Sequence, residues 1–97
     1  MRRLAMDEKG FREWVEDQPW AKGTKENALY WARRVENALG IDLDEVQTET
    51  DIEQARHRLW DHISNARVMA NLCWSMRKYV HFRTDTASRH QSAKAGR

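Results

Sequence analysis

The chain carries four histidines and one cysteine, the residue types best able to hold a metal or attack a substrate. His57 and His62 stand five positions apart, about 140° around a helix, so their imidazoles do not converge on one ion. His57 and Asp61 share a helical face, but two ligands make no zinc site, and a surface hydrogen bond accounts for the pair. The other two histidines are His81 and His90. Cys73 falls inside an apolar stripe with no histidine poised against it, the place of a small core residue and not of a nucleophile. The carboxylates between Asp42 and Glu53 lack the glycine and the alternating spacing of an EF-hand loop. Glycine-rich phosphate loops are absent. The expectation is a chain that is not an enzyme and uses no cofactor and no metal.

Two other sets of residues point to binding. Tyr30, Arg33, Arg34 and Asn37, with Glu26 at the margin, lie opposite the apolar stripe of one predicted helix. Arg67, Asn71, Trp74, Lys78 and His81, flanked by Ser75 and Arg77, lie opposite the stripe of another. Cations neutralise phosphates, Asn and Arg address base edges, and an aromatic ring packs on sugar or base. The same residue types anchor protein interfaces. They would also serve as a second core layer, with Trp74 and Tyr30 packed on the first helix or on the C-terminal segment.

Positioning these sets requires helices. The spacing predicts a first helix from about Glu8 to Gln18, with Asp7 as N-cap, a Met6–Phe11 staple across it, and Pro19 as stop. A second helix opens at Thr24, buries Ala28, Trp31, Ala32, Val35, Ala38 and Leu39, and ends on Gly40 in the left-handed conformation. The acidic stretch from Asp42 to Glu49 holds a short turn around Leu43 and Val46. A capping box at Thr50-Asp51-Ile52-Glu53 starts a third helix, which runs to about His62. A fourth runs from about Ala66 to Val80 or Phe82, with Met69, Leu72, Cys73, Met76, Tyr79 and Val80 inward. Residues 83–97 show no apolar periodicity and read as a disordered basic tail whose removal leaves stability nearly unchanged. The expected fold is therefore all-α: a compact four-helix, possibly five-helix, bundle over residues 1–82.

Ninety-seven residues fit one domain, and five Trp, two Phe, two Tyr and four Met supply bulk for its core. No apolar run approaches the roughly 18 residues of a membrane helix, and no signal-peptide core follows Arg2-Arg3. The lone cysteine excludes an internal disulfide and fits a reducing, cytoplasmic setting. The formal charge of +2 conceals segregation. Residues 40–61 carry two basic and seven acidic groups, whereas residues 62–97 carry seven basic and one acidic. Without residues 83–97 the body stands near −1, so an electrostatic interaction must depend on particular faces.

The order Phe11, Trp14-Val15, then Thr24, Ala28, Tyr30-Trp31, then Ile41, Leu43, Val46, then Asp51-Ile52, then Ser75-Met76-Arg77-Lys78-Tyr79-Val80-His81-Phe82 resembles the N-terminal core-binding, SAM-like domain of tyrosine recombinases and phage integrases. The resemblance covers about residues 10–82. It implies a four-helix bundle that clamps one side of double-stranded DNA through its second and fourth helices. It makes Tyr30, Arg33, Arg34, Arg67, Trp74 and Lys78 contact candidates. The Arg-His-Arg-Tyr apparatus of the recombinase catalytic domain has no counterpart after Phe82, so strand exchange is not expected of this chain. The leading expectation is a non-catalytic DNA-binding domain of phage or mobile-element type. Its alternative is a small protein-interaction module, such as a phage-encoded inhibitor of a host defence nuclease, that engages its partner through the 42–53 segment or the Trp74 face.

Overall fold

The computed structural model describes residues 7–95, and side chains over residues 7–86. Four helices fold against one another: α1 (Glu8–Glu16), α2 (Lys22–Leu39), α3 (Glu49–Leu59) and α4 (Ala66–Ala95), with a single 3₁₀ turn at Leu43–Glu45 between α2 and α3. The expected all-helical bundle is thus observed, with four helices and no strand among the described residues. No helix among those residues is long and apolar enough to cross a membrane.

The caps explain where each helix begins. Asp7 accepts a hydrogen bond from the Gly10 backbone at 3.1 Å and so satisfies one exposed N–H of the first turn. A Cβ at Gly10 would lie 2.5 Å from the Asp7 carboxylate, the far end of a side chain that can shift. The Met6 half of the expected staple lies outside the described residues. α2 starts two residues before Thr24, behind an extended Ala21 with no side-chain cap. It ends as expected on Gly40, whose φ of 64° strains any residue with a Cβ. α3 also starts earlier than the sequence spacing places it. Thr48 accepts from the Asp51 N–H at 3.1 Å, and the Asp51 carboxylate accepts from the Thr48 N–H at 3.2 Å, so the capping box lies two residues upstream of the expected one. Asn65 opens α4 by accepting from Arg67 and Val68 at 2.9 and 3.1 Å.

α4 is the central element. Met69, Leu72, Cys73, Ser75, Met76, Tyr79 and Phe82 are all buried, and they span about half of its circumference. A stripe that wide is what a helix needs when neighbours pack on several sides. α2 lies along it through Ala28, Ala32 and Val35, whose small side chains permit close approach. α1 contributes Phe11 and Val15; α3 contributes Ile52, Ala55 and Leu59; and the 3₁₀ turn inserts Leu43 beside them. Burial pushes the Cys73 thiol pKa above its ordinary value, as suits a packing residue. Ser75, placed by its spacing beside the outer set, is instead fully buried, and its hydroxyl donates to the Leu72 carbonyl at 2.7 Å.

The fourth helix does not stop at Phe82. Its backbone is helical to Ala95, so the described part of the segment read as a structureless tail is helical. Between Arg83 and Ala95 there is no Gly or Pro to break the helix. The first turn past Phe82 is also tied to the bundle. The Trp14 indole N–H donates to Asp85 at 2.9 Å, and Arg83 lies 3.5 Å from Asp44 and 3.9 Å from Asp7. The side chains beyond Thr86, that of His90 among them, are not described.

Candidate interaction groove between α2 and α4

Two ridges face each other across the bundle surface. On α2, Thr24, Asn27 and Trp31 recur at three- and four-residue spacing; on α4, Ala70, Asn71 and Trp74 stand opposite. Together they line an open groove of about 450 Å³. Two indoles supply its flat apolar surface, and two amides and a hydroxyl supply hydrogen-bonding groups. No carboxylate lines it.

Cations stand over the groove's aromatic rings. Arg34 lies 5.3 Å from the Trp31 ring centre and 5.9 Å from that of Tyr30, and its guanidinium donates to the Tyr30 hydroxyl at 3.4 Å. Lys78 lies 5.8 Å from the Trp74 ring and 5.3 Å from that of Trp20. Tyr30 is 51% exposed and packs edge-on against Trp31 at 4.9 Å. Asn37 and Arg67 are exposed, and neither side chain makes a hydrogen bond or ion pair among the described residues.

The candidate residues do not all share this environment. Arg33 points to the first helix and pairs with Glu8, whose carboxyl the guanidinium holds below its usual pKa. Arg77 turns to the opposite flank of α4, where its Nε and Nη2 donate to Glu49 at 3.2 and 3.4 Å. Both cations are committed within the molecule. Arg34, Arg67 and Lys78 remain without an ion pair among the described residues.

Trp74 occupies an intermediate place. Its position opposite the α4 stripe suggests a ring standing off the core, whereas the indole is half-buried against Trp20 at 5.9 Å. Trp20 arrives from the link between α1 and α2, just after Pro19. From there the rings run inward through Trp14 to Phe11, Phe82 and Tyr79. The sequence reading missed Trp20, Thr24 and Asn27 as site residues and assigned Trp31 wholly to the core. The Thr24, Asn27, Trp31, Arg34 spacing was the signal available, a ridge that meets the outer set only at Arg34.

A second polar cluster joins distant parts of the chain. The Tyr79 hydroxyl accepts from the Asp7 backbone at 2.8 Å and donates to Asp44, so one side chain fastens the start of α1 and the 3₁₀ turn to α4. Burial, and then the bond to Asp44, push the Tyr79 pKa well above that of an ordinary phenol. The proton stays on the hydroxyl at physiological pH, and the cluster acts as a structural tie. Among the described residues, no group of three or more His, Cys, Asp or Glu is placed to hold a metal ion.

No protein-family profile, curated protein or solved structure matches the chain.

Proposed function

We propose that this bundle is a non-catalytic DNA-binding domain that docks through the facing ridges of α2 and α4. The observation that carries the proposal is the coincidence of Arg34, Arg67 and Lys78, unpaired among the described residues, with Tyr30, Trp31, Asn71 and Trp74 on those ridges. Cations supply sequence-independent attraction to phosphates, and amides and rings supply contacts to bases and sugars. Arg33 and Arg77 have smaller parts, because binding a phosphate would first cost each its carboxylate partner. The resemblance to recombinase core-binding domains supports the same two helices as the contact surface. Binding of a duplex across a salt series tests the proposal. Lys78→Ala lowers the log–log salt slope by about 0.9 if the ammonium covers one phosphate. An unchanged slope removes Lys78 from the interface.

A second reading, a protein-interaction module, draws on the same commitment of Arg33 and Arg77. With these two neutralised, the surface carries fewer available cations beside the exposed Tyr30, a residue type that protein hot spots favour. Under this reading Trp74→Ala abolishes capture of a protein partner, while DNA affinity stays weak and salt-labile.

A further inference from the structure

The groove between α2 and α4 offers more ring surface than contact with an intact duplex requires. A paired duplex presents only base edges and a phosphate ridge; it has no free ring face to lay against an indole. The groove here offers the Trp31 and Trp74 rings, the Asn27 and Asn71 amides, and the Thr24 hydroxyl within about 450 Å³. That volume falls within the range of small-molecule sites, roughly 300–1,000 Å³, so an unpaired nucleobase is accommodated. Each amide offers both donors and acceptors, so the pair matches the polar edge of a base without selecting one base strictly.

Charge complementarity identifies the occupant. Arg34 stands over the Trp31 ring and Lys78 over the Trp74 ring, one cation for each aromatic wall. A nucleotide turned out of its strand has phosphates on both sides of its base, and two cations beside a stacking surface fit that arrangement. An aromatic side chain from a partner protein would use the two rings alone. It would leave both cations unpaired and at least one amide without a partner.

Resting on the DNA-binding reading, we infer that the α2/α4 groove receives an unpaired DNA base stacked against Trp31 and Trp74, with Arg34 and Lys78 on the flanking phosphates. The chain therefore prefers single-stranded or locally unpaired DNA to a perfect duplex.

The test uses the intact chain and three labelled probes: a thymine-rich single strand, its perfect duplex, and the same duplex with one unpaired thymine. Fluorescence anisotropy is expected to show both unpaired forms bound about tenfold or more tighter than the perfect duplex. Tryptophan fluorescence is expected to be quenched on binding them. Trp74→Ala removes the preference and Trp74→Phe, which keeps a ring, retains most of it. Asn71→Ala, in the groove lining, and Lys78→Ala, beside the Trp74 ring, reduce it with the fold intact. If the perfect duplex binds as tightly as the unpaired forms, the inference is overturned and the DNA-binding reading stands. If none of the three probes binds saturably, both are overturned, and the groove is left to a side chain from a partner protein.

Discussion

Trp74 is half-buried because a neighbour reaches it from outside its own helix. Its indole packs on Trp20, and Lys78 covers both rings, so removing it opens a gap while exposing less apolar surface than loss of a core ring would. A fully buried Trp costs about 3–5 kcal/mol when truncated to Ala, and an aromatic pair contributes about 0.5–1.5 kcal/mol beyond its area. Trp74→Ala is expected to lower stability by about 1–2 kcal/mol, between an outlying side chain and a core one. Urea denaturation checks this, and a loss near zero would show that the Trp20 contact contributes nothing. Angular position along α4 places the ring opposite the core but carries no information about what the α1–α2 link delivers there. For the same reason Arg33 and Arg77 looked equivalent to Arg34 and Lys78 in the sequence. Their partners, Glu8 and Glu49, lie 25 and 28 residues away. An ion pair of that separation leaves no local pattern.

At the scale of elements, most boundaries were legible because caps are local chemistry. Asp7, Gly40 and Asn65 occupy the helix ends their residue types favour. The exceptions are instructive. The spacing places the capping box of α3 at Thr50, whereas Thr48 with Asp51 forms it. The Asp51 carboxyl is held below its ordinary pKa first by the Gln47 backbone N–H and then by that of Thr48. With the folded value depressed, the stabilisation is present above the unfolded value near 4 and is lost as pH falls through the folded one. The denaturation midpoint of Asp51→Ala is accordingly expected to fall less than that of the parent chain when both are taken from neutral pH to below about 4. An equal fall in both would remove Asp51 from the acid response. The end of α4 was misread because apolar periodicity stops at Phe82, whereas the helix continues on propensity and polar ties. Asp85→Ala leaves the Trp14 indole N–H without its acceptor and is expected to lower stability by about 0.5–1.5 kcal/mol, measurable in the same urea experiment. A segment without contacts would show no change.

For the whole molecule, the fold class followed from helical periodicity, the near absence of Pro and Gly, and a core large in aromatic and Met side chains. The groove did not, since it belongs to the pairing of α2 with α4 and not to either helix. Its two ridges are individually visible as three- and four-residue spacings, but only their juxtaposition sets the amides, rings and cations side by side. Charge is likewise arranged by the fold. The 42–61 region is strongly acidic, and Glu49 at the start of α3 already neutralises one flank of α4, while no carboxylate lines the groove between α4 and α2. The body is near neutral in sum, so DNA binding as proposed would depend on which cations lack an internal carboxylate. The most direct measurement is a salt titration of duplex binding by two variants, one lacking Arg34, Arg67 and Lys78 and one lacking Arg33 and Arg77. If the ridges of α2 and α4 are the DNA surface, the first variant loses about 2.7 from the log–log slope, at about 0.9 per phosphate, and the second loses little. Equal slopes for the first variant and the parent chain, or a larger loss from the second, would contradict the account.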